Sequence, residues 1–230
     1  MADRELTTYS LDGRIATITM DDGKANVFSI EMLTALDAAF DRAEADKAIV
    51  ALRGRKGTFS AGFDLKVIRT DPERVGEMIK RGALLAERVL TFPTPVLTVC
   101  TGHCYPAGAF LLMAADARIG VEGPFRLGLN ETRIGLPLPW FAIEMARHRM
   151  PVRAFDRTAV NAVMFSPTEA IEAGLLDAVV PADQLETTVA AWTADLAELD
   201  PKVHASTKLK ARQPAITAVR EAIVKDFGAD

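Results

Sequence analysis

Two stretches decide how this chain is read: Phe59-Ser60-Ala61-Gly62-Phe63-Asp64-Leu65 and Gly102-His103-Cys104-Tyr105-Pro106-Ala107-Gly108-Ala109. Each follows a short apolar run with the character of a buried strand, residues 48–52 and 96–100, and each leads into a helical segment. Each carries Ala-Gly at its turn. Small residues let backbone approach closely whatever lies opposite. A helix opening at such a turn exposes N–H groups without intrahelical partners, and the positive end of its dipole. If the two turns face each other, the N–H groups of Phe63 and Ala107 become a pair of donors aimed at one oxygen, an arrangement suited to an oxyanion. The plainer reading is tight helix–strand packing, and spacing alone favours it.

Outward from these turns the pattern alternates strand and helix. Residues 6–11 and 14–20 flank Asp12-Gly13, a hairpin signal. Ser29 caps a helix whose apolar positions Met32, Leu33, Leu36, Ala39 and Phe40 recur at helical spacing to about Ala45. A long helix is expected over 73–91, ended by Pro93 and Pro95. An apolar helix is expected over 109–115 and a strand over 116–121. The two strand–turn–helix stretches read as turns of one repeating strand–strand–helix unit, not as tandem domains. No linker interrupts the chain before Pro181. Beyond it the pattern is helical: 182–199, a break at Pro201, then 203–227 as two helices broken at Pro214. The expectation is an α/β core over 1–181 and a helical region over 182–230 that packs on the main body or on a neighbour.

Composition narrows the function classes. Apolar residues make up 49% and charged residues 25%, enough for a real core, so disorder is excluded for the whole. The net charge of −4, with only short basic clusters such as Arg53, Arg55 and Lys56, argues against nucleic acid as the ligand. Cys100 and Cys104 do not make a disulfide framework, and with His148 and His204 as the histidines outside their loop no metal site is expected. The start, Met1-Ala2-Asp3-Arg4-Glu5, is charged and lacks an apolar core, so no secretory signal is expected. No apolar run reaches the roughly 18 residues that span a bilayer. The expectation is a cytoplasmic protein without a membrane partner.

One acid stands out. In Phe125-Arg126-Leu127-Gly128-Leu129-Asn130-Glu131-Thr132-Arg133-Ile134-Gly135-Leu136-Pro137, Glu131 lies among Ile, Leu, Gly and Pro. A carboxyl in apolar surroundings rises in pKa and becomes a useful proton carrier near neutrality. The plainer reading, a solvated loop acid paired with Arg133, is favoured by spacing alone. Asp64 reads first as a helix N-cap. Ser60 is not in a G-x-S-x-G elbow, no Walker loop exists, and Gly120, Gly123 and Gly128 do not form a dinucleotide fingerprint.

Taken together, the two Ala-Gly segments resemble the paired oxyanion segments of the crotonase (enoyl-CoA hydratase/isomerase) superfamily. The order of elements agrees over about 6–181. Within the superfamily, Gly128-Leu129-Asn130-Glu131-Thr132 and Cys104-Tyr105-Pro106-Ala107-Gly108 are most similar to Δ3,Δ2-enoyl-CoA isomerases of the mitochondrial type. The resemblance implies a spiral of repeated ββα units with a helical C-terminal region, assembled as a homotrimer or dimer of trimers. It implies an acyl-CoA thioester as substrate, so that coenzyme A arrives with the substrate and no separate cofactor is needed. It implies that Phe63 and Ala107 form the oxyanion hole and that Glu131 is the catalytic proton carrier. Lys24, Ala25, Val27, Ala61, Asp64 and Leu65 would line the CoA path, with Phe110 and Leu136 beside the acyl chain. Hydratases of the superfamily carry a second glutamate on the helix after the second turn. That position here is Phe110, as apolar as in the isomerases. The helical region is short against the family pattern and is expected to serve packing and oligomerisation. The expected activity is a 3-enoyl-CoA to 2-enoyl-CoA shift. The alternatives are an enoyl-CoA hydratase or other enolate enzyme of the superfamily, and a catalytically weak acyl-CoA-binding or scaffold protein.

Overall fold

The computed structural model describes residues 5–229, so the charged start of the chain, residues 1–4, lies outside the described part. The chain opens with β1 (Thr7–Asp12), β2 (Ile15–Met20), β3 (Val27–Phe28) and α1 (Ile30–Ala45). A second round brings β4 (Ile49–Arg53), β5 (Gly57–Ser60), β6 (Gly62–Phe63), α2 (Leu65–Thr70) and α3 (Pro72–Thr91). A third brings β7 (Val96–Cys100), β8 (Gly102–Cys104), α4 (Pro106–Ala114) and β9 (Ala117–Val121). Then come α5 (Trp140–Arg149), α6 (Val152–Ala159), α7 (Pro167–Glu172), β10 (Ala178–Val180), α8 (Leu185–Ala197) and α9 (Pro201–Phe227).

Three rounds of strand, short strand and helix make a spiral. The long strands form one six-stranded sheet in the order β1-β2-β4-β7-β9-β10, parallel except for the β1–β2 hairpin. β7 is covered on both sides and buried throughout, as expected of a central parallel strand, with Thr98 as its one polar side chain. Val96 and Cys100 join the main core, while Leu97 and Val99 face a smaller cluster with Ile119, Val121 and Leu185 under α8. The short strands stack separately: β3 beside β6, and β5 beside β8. Leu127 continues the second stack, bridged to Cys104 on one side and Phe165 on the other. These stacked short strands carry the turns singled out in the sequence.

Local chemistry explains the boundaries. Ser29 accepts the Met32 N–H and starts α1 as expected. α4 begins at Pro106, earlier than the expected 109, because proline fits the first helical position, where no N–H is required. Pro201 likewise opens α9 rather than breaking a helix, with Asp200 accepting the N–H groups of Lys202 and Val203. The expected break at Pro214 is absent: α9 runs through it. An internal proline removes one backbone hydrogen bond. The buried stripe Ile216, Val219, Ala222 and Ile223, packed into the main core, holds the helix together past that point. The helical region therefore packs on the main body. Among the described residues, no helix is long and apolar enough to cross a membrane.

The rounds of the spiral touch where side chains are absent. A Cβ at Gly102 would overlap the Gly57 backbone across the β5–β8 pair. Gly76, on α3, has nothing near that position. Gly102→Ala should therefore lower the free energy of urea unfolding by about 1–3 kcal/mol, the usual cost of overpacking. Gly76→Ala should raise it by roughly 0.5–1 kcal/mol through helix propensity. Equal effects of the two substitutions would contradict the close approach.

Candidate active site

The first turn is built by a buried hydrogen-bond relay. Asn26 sits in a left-handed conformation at φ 50°, which asparagine tolerates. Its side chain donates to the carbonyls of Met20 at 3.0 Å and Phe59 at 3.2 Å, and its own carbonyl accepts from Ser60 Oγ at 2.7 Å. Ser60 Oγ in turn accepts the Gly62 N–H at 3.1 Å. The Asp64 N–H bonds across to the Phe28 carbonyl. Neighbouring N–H groups along a strand point to opposite sides, so the Phe63 N–H faces away from β3. Asp64 is the N-cap of α2, its carboxylate accepting the Lys66 N–H at 2.8 Å.

The second turn is held against the first. The Tyr105 N–H donates to the Ser60 carbonyl at 2.8 Å. α4 then starts without a side-chain cap, and its first helical bond runs from the Ala109 N–H to the Tyr105 carbonyl. The Ala107 N–H thus lies in the first turn, where a helix has no acceptor of its own to offer. Gly62, at φ +88°, lies close by: a Cβ there would be 3.7 Å from the Ala107 nitrogen.

A third segment faces both. The Cys104 N–H donates to the Arg126 carbonyl at 3.0 Å and the Gly128 N–H to the Cys104 carbonyl at 3.1 Å, which fixes residues 126–128 beside β8. The chain then folds into a 3-10 turn, Thr132–Ile134, and the Glu131 carbonyl accepts from Ile134 and Leu136. The three segments enclose a cavity of about 220 Å³. Phe63, Leu65, Ile68, Ile134 and Leu136 supply most of its apolar wall, and Tyr105, Asn130 and Glu131 its polar side chains. Glu131 is the single carboxylate among the described residues that line it.

Glu131 is 8% exposed, and its Oε2 has no hydrogen-bond partner. Burial pushes its carboxyl from 4.5 up to about 7, and a hydrogen bond to its own backbone offsets this only in part. No cation contributes to the shift, so the reading as an acid paired with Arg133 does not hold.

Of the residues named from the sequence, Ala61, Phe63, Leu65, Glu131 and Leu136 line this cavity. Ala107 lies at its edge, next to Pro106, which does line it. Ala25 and Val27 flank the first turn through the Ala61–Ala25 bond and the Val27–Gly62 register, and Lys24 is exposed beside them. Phe110 does not line the cavity. Its ring is 1% exposed and lies between Phe63, at 6.4 Å, and Phe141, at 5.2 Å. The resemblance placed it beside the acyl chain. Its ring is taken up instead by edge-on packing against Phe141 of α5. Asn26 and the positioning role of Ser60 were not read from the sequence. Their partners are backbone groups from distant segments, which leave no motif. Among the described residues, no group of three or more His, Cys, Asp or Glu side chains could hold a metal ion.

The raised carboxyl sets a pH dependence of stability. The folded state holds the Glu131 proton more tightly than the unfolded chain does. Below about pH 4 both states are protonated and burial has no ionic cost. The cost grows as pH rises from 4.5 through about 7 and is complete above it, on the order of 3 kcal/mol. Glu131→Gln should match the parent near pH 4 and exceed its unfolding free energy by about 2–3 kcal/mol at pH 8. Equal stability of the two proteins at pH 8 would refute the buried carboxylate.

Comparison with known proteins gives this arrangement its family. The sequence model described as enoyl-CoA hydratase/isomerase matches residues 11–226. A solved enoyl-CoA hydratase/isomerase family protein from Pseudomonas syringae superposes with a TM-score of 0.95, at 42% identity and with 97% of each chain covered. The human mitochondrial enoyl-CoA delta isomerase 1 is 27% identical over 93% of this chain and 73% of its own length. A probable enoyl-CoA hydratase of Bacillus subtilis is 29% identical over 86% of this chain and 79% of its own. With its ββα spiral, two facing turns and buried acid, the chain belongs to the enoyl-CoA hydratase/isomerase family.

Proposed function

We propose that the protein is a Δ3,Δ2-enoyl-CoA isomerase that works with one carboxylate. The observation that carries this reading is the make-up of the cavity wall. Glu131 stands there as the single acid, in apolar surroundings, opposite the two turns. Moving a double bond from C3=C4 to C2=C3 needs one group to take a proton from C2 and give it to C4. Adding water to a 2-enoyl thioester calls for groups that hold and split that water.

In the first step the Glu131 carboxylate takes the C2 proton. The C2–H pair moves into the π system and charge builds on the thioester oxygen. The N–H groups of Phe63 and Ala107 hold that oxygen, stabilising the dienolate. In the second step the Glu131 carboxyl returns the proton to C4, the C2=C3 bond forms and the carbonyl is restored. C2 and C4 lie on one face of the planar dienolate, so one carboxyl reaches both. Leu65, Ile68, Ile134 and Leu136 keep water from the intermediate. The CoA portion would leave along Lys24, Ala25 and Val27. No further cofactor enters, because the reaction only moves a proton.

The human isomerase supports this reading; the hydratase name of the Bacillus relative supports the alternative. The apolar ring at position 110 weighs against hydration. The position that the resemblance gives to a second acid holds a phenylalanine packed on Phe63, and Glu131 stays the single carboxylate of the wall among the described residues.

Incubation with 3-enoyl-CoA and with 2-enoyl-CoA, followed by mass analysis, tests the proposal. The expected product of the first is an isomer of equal mass, and the second should gain water slowly or not at all. Hydration of crotonyl-CoA at a rate rivalling isomerisation would overturn it. Glu131→Gln should lower isomerisation at least ~10²-fold with CoA ester binding retained. For the parent enzyme, kcat/KM should rise with pH around a midpoint near 7, where the free carboxyl ionises.

A further inference from the structure

The back end of α4 is gripped by three arginines, Arg118 buried and Arg149 and Arg212 partly buried. Its C-terminal carbonyls would otherwise be unpaired inside the core. Arg149 donates to the Met113 carbonyl at 3.0 Å and to the Ala115 carbonyl at 3.0 Å. Arg118 donates to the Ala115 carbonyl at 2.9 Å. Arg212, reaching in from α9, donates to the carbonyls of Ala114 at 3.0 Å and Ala115 at 3.3 Å and to Asp116 at 2.9 Å. Three cations at the negative end of one helix also suit its dipole.

Arg212 does one thing the other two do not. The nitrogen that reaches Ala114 also donates to the Leu90 carbonyl at 2.9 Å, in the last turn of α3. One guanidinium thus joins the ends of α3 and α4. Lys208, one turn earlier on α9, adds bonds to the carbonyls of Phe92 and Thr94 just past α3 and an ion pair with Asp116 at 2.7 Å. Each of the two joined helices serves one oxyanion donor. α4 carries Ala107 at its other end, about 12 Å away along a nine-residue rod buried on all sides. α3 seats the Phe63 ring over Gly82, where a Cβ would overlap the ring atoms.

We infer that Arg212 is a positioning residue for the oxyanion hole: by tying the C-terminal ends of α3 and α4 it sets the register between the Phe63 and Ala107 N–H groups. The inference rests on the reading of those two groups as the donors. It gives the C-terminal helix a role in catalysis within its own chain. A planar fork fixes two helix ends at once; an ammonium, as a point charge on a flexible stem, does not. A shift of an ångström at the donors is enough to lower the rate while leaving the distant CoA contacts unchanged.

The test compares parent enzyme, Arg212→Lys and Arg212→Met. The readouts are kcat and KM for 3-enoyl-CoA, thermal midpoint, and the infrared carbonyl band of bound crotonyl-CoA, which moves to lower frequency when two donors polarise the thioester. Arg212→Met should lose about 10- to 100-fold in kcat with KM within a few-fold, and its carbonyl shift should shrink. Arg212→Lys should fall between. If Arg212→Met does not fold, Arg212→Lys decides, since it keeps the charge and loses the fork. A folded variant with the parent's kcat and the parent's carbonyl shift overturns the role of Arg212. If bound crotonyl-CoA shows no shift in the parent enzyme, the two-donor reading falls, and this inference with it.

Discussion

The site depends on one buried residue that both turns share. Ser60 accepts the Gly62 N–H with its hydroxyl and the Tyr105 N–H with its carbonyl, and it donates to the Asn26 carbonyl. These bonds lie in the interior, where an unpaired donor or acceptor costs far more than a satisfied one contributes. The geometry is therefore tightly determined. Displacing Ser60 would leave several buried backbone groups unsatisfied at once. Three segments far apart in the chain, around residues 26, 60 and 105, are locked to one another before any substrate enters. That is what preorganisation of two backbone donors requires.

The same packing that fixes the two turns raises the Glu131 carboxyl. A carboxylate in water is a weak base. Beside Leu136, Ile134 and Phe63, and without a cation to steady it, the Glu131 carboxyl is pushed up to about 7, the range in which the proposed proton transfer at neutral pH needs it. Stability is lost to this arrangement at neutral pH. Farther back, the charge cluster of Asp116, Lys208 and Arg212 pairs its members closely and caps helix ends. One carboxylate is left alone and one is surrounded by cations, and their chemistry differs accordingly.

Much of this was legible in the sequence. The hairpin at Asp12-Gly13, the Ser29 cap and the mostly apolar β7 run follow local rules and appear where those rules put them. The Ala-Gly turns and the lone acid among Ile, Leu and Pro were visible, but spacing alone favoured plainer readings of each. The resemblance to a family tipped that balance, and the structure brings the two turns and the acid to one cavity. What stayed hidden was tertiary. Pro214 does not break α9 because a buried stripe overrides the lost backbone bond. Phe110 packs against Phe63 and Phe141, partners from other segments that no local pattern announces. Asn26 and Arg212 bond to backbone carbonyls of distant segments, and no sequence pattern marks a carbonyl.

In the proposed reaction one carboxyl collects a proton from C2 and hands the same proton to C4 before solvent replaces it. It is tested most directly with 3-enoyl-CoA deuterated at C2, converted in ordinary water and sampled at the shortest times. The account predicts 2-enoyl-CoA carrying part of that deuterium at C4. Product with only solvent hydrogen at C4 at every time sampled would contradict a single enclosed shuttle and require a second group, or water itself, to deliver the proton.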